Sequence, residues 1–260
     1  MTMTREPAAI GWRSALLAAL LAAVLALTGC ASMPPGGTAL GDPWERFNRQ
    51  TFAFNEAVDA AAIKPAAQVY QALVPSLVRT GVGNFFGNIG DAWTTINLVL
   101  QAKPESALNM GLRTMVNTVF GLGGALDLAG EFGLERSTSE DLGQTLGFWG
   151  IKSGPYLVLP LLGPSTLRDT SVQLLQLDDS ATGRVWHEPR DRNAASFVQL
   201  LDTRARLLNA GRVFDEIALD RYVLLRDAYL SRRRSQIYDG EPPDDQTGAA
   251  APFTKQWTTK

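Results

Sequence analysis

The sequence predicts an all-α domain over residues 42–238, and three observations carry that prediction. Apolar residues recur at helical spacing, Asp and Pro start signals precede several of those stripes, and no convincing period-2 alternation occurs in the 260 residues. The first stripe opens at Asp42, expected as an N-cap, with Pro43 at the first helical position and Glu45 as its capping-box partner. Trp44, Phe47, Phe54 and Val58 follow at helical spacing, with Asn48, Arg49 and Gln50 off that stripe. Pro65 and Pro75 are expected to break the next stretch into short helical pieces. Residues 81–90, with four glycines and the Phe85–Phe86 pair, are expected to be turn-rich. A second helix is expected from Asp91, placing Trp93, Ile96, Asn97 and Leu100 on one stripe. A third begins near Pro104 and presents Leu108, Leu112, Met115, Val116 and Val119.

The middle of the chain is glycine-rich. Residues 121–130 resemble a phosphate loop only loosely, because they lack the Gly-Lys-Ser/Thr ending and sit between helices; their glycines fit close packing or a hinge. The apolar run 156–162 is too short and too proline-broken to span a membrane, and Ser165 or Thr166 is expected to cap the helix that carries Arg168 and Asp169. Ala194, Phe197, Val198, Leu201, Ala205 and Leu208 form an amphipathic stripe, and helix continues over 213–234 with an interruption near Asp220. Arg232, Arg233 and Arg234 fit a solvated helix end that offsets the dipole, the alternative being a lipid-headgroup site. Residues 239–260 have the composition of a disordered tail.

The N-terminus sets the compartment. Thirteen apolar residues, 15–27, follow a stretch carrying Arg5 and Arg13, which is a signal peptide and too short for a membrane span. Leu27-Thr28-Gly29-Cys30 looks like a lipobox, so residues 1–29 are expected to be removed and Cys30 acylated. Residues 30–41 then form a flexible lipidated tether, and Ala31 stands where an aspartate would favour inner-membrane retention. Three acyl chains at about 0.8 kcal/mol per buried CH2 make a strong anchor.

Residues 91–134 carry charge only at Asp91, Lys103, Glu105, Arg113, Asp127 and Glu131. That is thin for a solvated surface, where about a quarter of residues are charged. One explanation is a buried pair of core helices. The other is helices lying in lipid without crossing it, and the acyl anchor favours this second one.

Several function classes are excluded. Removing Arg5, Arg13 and Glu6 from 24 basic and 26 acidic residues leaves a formal charge of −3, unlike the strongly basic nucleic-acid binders. Cys30 is the only cysteine and His187 the only histidine, so no disulfide follows and no metal or cofactor site is expected. A lipid hydrolase is disfavoured too: Ser165 lies in Gly-Pro-Ser-Thr-Leu rather than a nucleophile elbow, and His187 has no obvious partner.

The ordered blocks of the chain resemble the VacJ/MlaA lipoproteins. The resemblance rests on Asp42-Pro43-Trp44-Glu45-x-Phe47-Asn48-Arg49, Phe52-x-Phe54-Asn55, Asn84-Phe85-Phe86-Gly87-Asn88 and Asn97-x-x-Leu100-Gln101. It continues in Arg113-x-x-x-Asn117-Thr118-x-x-Gly121-x-Gly123-Gly124-x-x-Asp127, Asp141-x-Gly143-Gln144-Thr145-Leu146-Gly147 and the 154–169 block ending in Arg168-Asp169. The resemblance implies a ring of short amphipathic helices in the inner leaflet of the Gram-negative outer membrane, anchored through Cys30 on its periplasmic face, around a central pore. It implies that phospholipids pass from the outer leaflet through that pore to a soluble periplasmic carrier, that a trimeric porin is a partner, and that lipid asymmetry is kept. Within such a ring, Arg113, Arg168 and Asp169 are candidates for the polar side of the pore, the alternative for each being an ordinary ion pair. Gly147, Gly150, Gly154 and Pro155 are candidate hinges of a lid, the alternative being a rigid proline turn. Trp44, Phe47, Phe54, Phe85, Phe86 and Trp93 are candidate membrane contacts. A non-transporting scaffold that organises porins or the envelope shares the anchor and helices but leaves the glycine-rich middle unexplained.

Overall fold

The computed structural model describes residues 42–136, 139–176, 185–186 and 188–243. The signal peptide 1–29, Cys30, the tether, His187 and the tail beyond residue 243 lie outside the described residues. The helical class is borne out. Helix α1 (Glu45–Val58) passes through a π turn (Asp59–Ile63) into α2 (Lys64–Leu73), and α3 (Ser76–Leu100) pairs with α4 (Pro104–Val119). A 3-10 turn (Gly130–Phe132) and short α5 (Leu142–Phe148) lead to a hairpin of β1 (Tyr156–Leu159) and β2 (Gly163–Thr166). Four helices follow: α6 (Leu167–Gln176), α7 (Pro189–Arg206), α8 (Leu208–Ile217) and α9 (Arg221–Ile237). No described helix is long and apolar enough to cross a membrane.

On α1, α3 and α4 the helical period holds and the polar side faces inward; Asn97, expected on one stripe with Ile96 and Leu100, lies on the buried side instead. On α1 the buried residues are Asn48 and Thr51, while Trp44, Phe47 and Phe54 are exposed. On α3, Asn97 is 0% exposed beside Ile96 at 43%. On α4, Arg113 is 2% exposed beside Leu112 at 38%, and Leu108, Met115 and Val119 share the outward face. Apolar cores are small: Leu98 with Ala107 and Met110 between α3 and α4, and Tyr156, Val158 and Tyr222 between the hairpin and α9.

Five local expectations need correction. Asp42 does not cap α1: Trp44 occupies the N-cap without a side-chain bond, and Asp42 is buried, accepting from Asn48 at 2.8 Å and from the Tyr222 hydroxyl. Pro65 does not break the rod, because the wider π turn just before it accommodates a residue that cannot donate to the preceding turn. Pro75 does break it, with Val74 extended. Residues 81–90 are continuous helix rather than turn, and no helix starts at Asp91. Two of their glycines serve as seats for side chains: a Cβ on Gly83 would collide with the Arg206 guanidinium, and one on Gly87 would lie 2.7 Å from Arg136 Nη2. Tertiary contact therefore outweighs the roughly 1 kcal/mol that each glycine costs a helix.

The fourth correction is the hairpin, which the missing alternation did not foreshadow. Tyr156 pairs with Thr166 and Leu159 with Gly163, antiparallel. Only Tyr156 and Val158 turn inward, too few alternations to stand out in a run that is apolar throughout. Side-chain amides of α1 complete its free edge. Asn48 donates to Tyr156 O at 3.1 Å and accepts from Val158 N at 2.9 Å; Asn55, two turns on, donates to Leu159 O at 2.9 Å and accepts from Leu161 N at 2.8 Å. The fifth concerns Arg233, which is buried while α9 runs on to Ile237. Asp220 caps α9 through Tyr222 N at 3.0 Å and Val223 N at 3.2 Å, matching the expected interruption.

Asn48→Leu should lower unfolding stability in detergent by about 3 kcal/mol, since it strands two backbone groups and Asp42. Phe47→Ser, one position away on the outward face, should stay within about 0.5 kcal/mol. Denaturant unfolding of both variants in the same micelle measures this, and equal losses would contradict the inverted orientation of α1.

Candidate functional site

The inward stripes meet in polar networks that join elements distant in sequence. Arg233 of α9 holds both oxygens of Asp141, at 2.5 and 2.7 Å, and Asp169 Oδ2 at 2.8 Å. Asp141 caps α5 through Gln144 N at 2.8 Å, and Asp169 stands in the first turn of α6, where it donates its N–H to Thr166 Oγ1 at 3.3 Å. One guanidinium thus fixes the starts of two helices against a third. Asp169 also accepts from Arg168 Nε at 2.9 Å and the Tyr229 hydroxyl at 3.0 Å. Burial disfavours the charged form of both carboxylates, but the hydrogen bonds and charge of Arg233 outweigh it and hold them below the usual carboxylate range. Burial disfavours the charged form of Arg233 as well, and its two carboxylates more than offset that, leaving it firmly cationic.

A second network staples α3 to α4. Arg113 reaches Asp91 at 3.3 Å, Asp127 at 2.6 Å and Leu134 O at 2.5 Å, while Arg136 pairs with Asp91 at 2.9 Å. Asn117 ties the same loop by donating to Asp127 at 3.1 Å and accepting from Ala129 N at 2.8 Å. Between the two networks, Gln101 donates to Glu140 at 2.9 Å, and Thr145 donates to Asn97 at 2.9 Å. Burial raises the Glu140 pKa, with the Gln101 hydrogen bond opposing it.

These positions put the candidates in three places. Arg113 belongs to the α3–α4 network, whereas Arg168 and Asp169 belong to the α5–α6–α9 network, and each has internal ion-pair partners. Of the hinge candidates, Gly147 lies in α5, where a Cβ would meet Arg168 Nη1 at 2.7 Å. Gly150 and Gly154 have φ of +89° and +69°, and Pro155 O accepts from Leu167 N at 3.0 Å. Trp44, Phe47 and Phe54 are exposed; Phe85, Phe86 and Trp93 are half-buried, and the two phenylalanines stack near Trp186 at 6.0 and 6.4 Å. Sequence reasoning missed Asp42, Asp141 and Arg233 as network centres. Their signal was an acidic or basic residue on the off-stripe side of an otherwise apolar helix or at its start.

The sequence profile of the MlaA lipoprotein family matches residues 40–236. The chain belongs to the MlaA family. It is similar to the intermembrane phospholipid transport system lipoprotein MlaA of Shigella flexneri, 32% identical over 240 residues that make up 90% of this chain and 94% of that protein. The Haemophilus influenzae protein of the same name is 30% identical over 230 residues, 87% of this chain and 91% of that one. A chain solved in work described as "Structural basis for maintenance of bacterial outer membrane lipid asymmetry" superposes with a TM-score of 0.67 at 30% identity, covering 75% of this chain and 98% of that chain. MlaA membership and the helical fold therefore agree.

The depressed carboxylates give this MlaA-family chain a defined acid response. Asp141 and Asp169 contribute stability that is fully present above their unfolded pKa of about 3.9 and is lost as pH falls through their lower folded values. Unfolding stability in detergent should fall steeply below about pH 4. Arg233→Gln should cost about 3–5 kcal/mol at neutral pH and flatten that acid limb, because the two carboxylates lose their partner. Denaturant titrations from neutral to acid pH test it; an unchanged acid limb in the variant would contradict the role given to Arg233.

Proposed function

We propose that this protein lies in the inner leaflet of the outer membrane, held by acylated Cys30, and withdraws misplaced phospholipids from the outer leaflet through an amphipathic pore. A soluble periplasmic carrier receives them, and a trimeric porin holds the protein in place. The observation that carries this reading is the inverted burial pattern of α1, α3 and α4. Leu108, Met115 and Val119 face outward while Arg113 and Asn117 face inward. Each such leucine or phenylalanine gains roughly 1.5–3 kcal/mol on leaving water, which a lipid monolayer supplies and an aqueous surface does not. Since no described helix can cross a membrane, the apolar faces fit a single leaflet.

The inward polar stripes supply what a phospholipid headgroup needs on its way through apolar surroundings. In this reading Arg113, Arg168 and Asp169 make up the polar side of the pore through the networks they anchor. The segment from Gly147 to Pro155 is the movable element beside it. Transport of this kind displaces a lipid without breaking a bond, so it asks for no nucleophile, metal or cofactor. The names of the relatives support the substrate class, and the description of the similar solved structure supports the membrane and the asymmetry.

Cells lacking the protein should accumulate phospholipid in the outer leaflet, read as increased acylation of lipopolysaccharide and sensitivity to detergent with a chelator. Cys30→Ser should leave the precursor unlipidated and fail to restore asymmetry. Unchanged asymmetry in the deletion strain would overturn transport and leave the non-transporting scaffold.

A further inference from the structure

Helix α7 packs on α2 and α3, and a cleft of about 310 Å³ opens between it and the first turns of α3. Ser76, Arg79, Thr80 and Asn84 wall the cleft from α3; Asp202, Ala205 and Arg206 wall it from α7. The α3 residues recur at i, i+3, i+4 and i+8, so a single helical face lines it. Leu77 and Val78 fall off that face and are exposed, as is Leu73 at the end of α2.

The cleft holds more donors than acceptors. Asp202 is buried and both its oxygens are taken: Oδ1 accepts from the Tyr70 hydroxyl at 3.1 Å, and Oδ2 from Arg206 Nη2 at 2.8 Å. Arg206 Nη2 also donates to Arg79 O at 3.4 Å, and Gly83 makes room for this guanidinium on the wall of α3. Arg79 donates through Nε to Val74 O at 3.1 Å and pairs with no carboxylate among the described residues. Two guanidiniums thus share one carboxylate. Nη1 and Nη2 of Arg79, and Nε and Nη1 of Arg206, have no acceptor among the described residues. The Ser76 and Thr80 hydroxyls stand on the same face as Arg79. The first turn of α3 adds backbone N–H groups, since Pro75 at the N-cap brings no side-chain acceptor.

We propose that this cleft binds a phosphate group, held between Arg79 and Arg206, with Ser76 and Thr80 donating to its remaining oxygens. Donors on two facing helices suit a tetrahedral oxyanion, which accepts on several sides, better than a planar carboxylate with two oxygens. The phosphate can belong to a lipid, its chains running along Leu73, Leu77 and Val78, or be free in solution. The lipid source rests on the membrane placement proposed above, whereas the phosphate site does not.

The test uses the full-length acylated protein in maltoside micelles, with protein-free micelles as the blank. Inorganic phosphate, acetate and dihexanoyl phosphatidic acid are titrated at constant ionic strength and followed by phosphorus NMR. Phosphate should bind, and acetate at equal concentration should not displace it. Arg79→Gln and Arg206→Gln should each weaken binding roughly tenfold, as loss of one charge-assisted contact implies. Arg190→Gln, at an exposed arginine of α7 outside the cleft, should leave it unchanged. Arg79→Gln keeps the Asp202–Arg206 pair, so it remains decisive if thermal melts show that Arg206→Gln disturbs the fold. Absence of phosphate binding, displacement by acetate, or equal effects of Arg79→Gln and Arg190→Gln overturns the proposal. Phosphatidic acid binding about tenfold or more tighter than phosphate, with the excess lost in Leu77→Ser, assigns the lipid source; equal affinities assign free phosphate. The deletion phenotype decides transport separately, so either reading can fail alone.

Discussion

Once a helix turns its apolar stripe outward, what holds it to its neighbours has to come from the polar stripe that faces in. Here that stripe is charged as well as polar, and Arg233 joins Asp141 and Asp169 at the starts of α5 and α6. In soluble proteins a buried ion pair often contributes little beyond what well-packed apolar residues would. The alternative differs here, because water is not driving the helices together through their outward faces. A carboxylate without its guanidinium would be stranded in a poorly solvating interior, so the networks select one arrangement of helices over others of similar packing. The edge of β1 follows the same logic. Asn48 and Asn55 fill backbone positions that a third strand would fill, leaving the hairpin no open edge on that side.

The polarity of the outward faces also changes from one part of the domain to another. Helices α3 and α4 expose Val99, Leu108 and Met115, whereas α9 exposes Arg221, Asp227 and Arg232. Under the transport reading this is the gradient that a phospholipid requires, apolar where tails lie and hydrated where the headgroup leaves. The α5–α6–α9 network sits under the hydrated side, and the Arg113 network sits under the apolar side. A charge as deep as Arg113 is tolerable there because Asp91, Asp127 and Leu134 O satisfy it.

Helical period was legible from sequence because the spacing of Trp44, Phe47 and Phe54, or of Leu108, Leu112 and Met115, depends only on the turn of the helix. Which side of a stripe faces in is a different question, and spacing is silent on it. Asn48 and Arg113 were visible as off-stripe residues, and Asn97 as a member of a stripe with Ile96 and Leu100, yet only the fold shows all three as the buried ones. The glycines of 81–90 misled for a related reason: their meaning lies in Arg206 and Arg136, which are distant in sequence. Arg233 was read as one of three cations at a helix end, because nothing local points to Asp141, which lies 92 residues away. The MlaA resemblance placed the chain in its family where local physics could not, since it rests on the combination of blocks rather than on any contact.

The same networks say where this domain can move. Elements joined by Arg233 or Arg113 shift only if several charge-assisted bonds break together, which makes each cluster a rigid unit. The connection between α5 and β1 is held differently. After Trp149, whose indole donates to Leu100 O at 3.0 Å, the chain passes Gly150 at φ +89° with open space beside it and Gly154 at φ +69°. Its ties are Ile151 N to Leu146 O at 2.9 Å, Leu167 N to Pro155 O at 3.0 Å, and Arg168 to Ile151 O and Ser153 O at 3.1 Å each. The last two come from the residue that also pairs with Asp169. A displacement of this segment would strain Leu167 and Arg168 at the start of α6, and Arg168 and Arg233 share Asp169, so the segment and the Arg233 cluster are joined through one carboxylate.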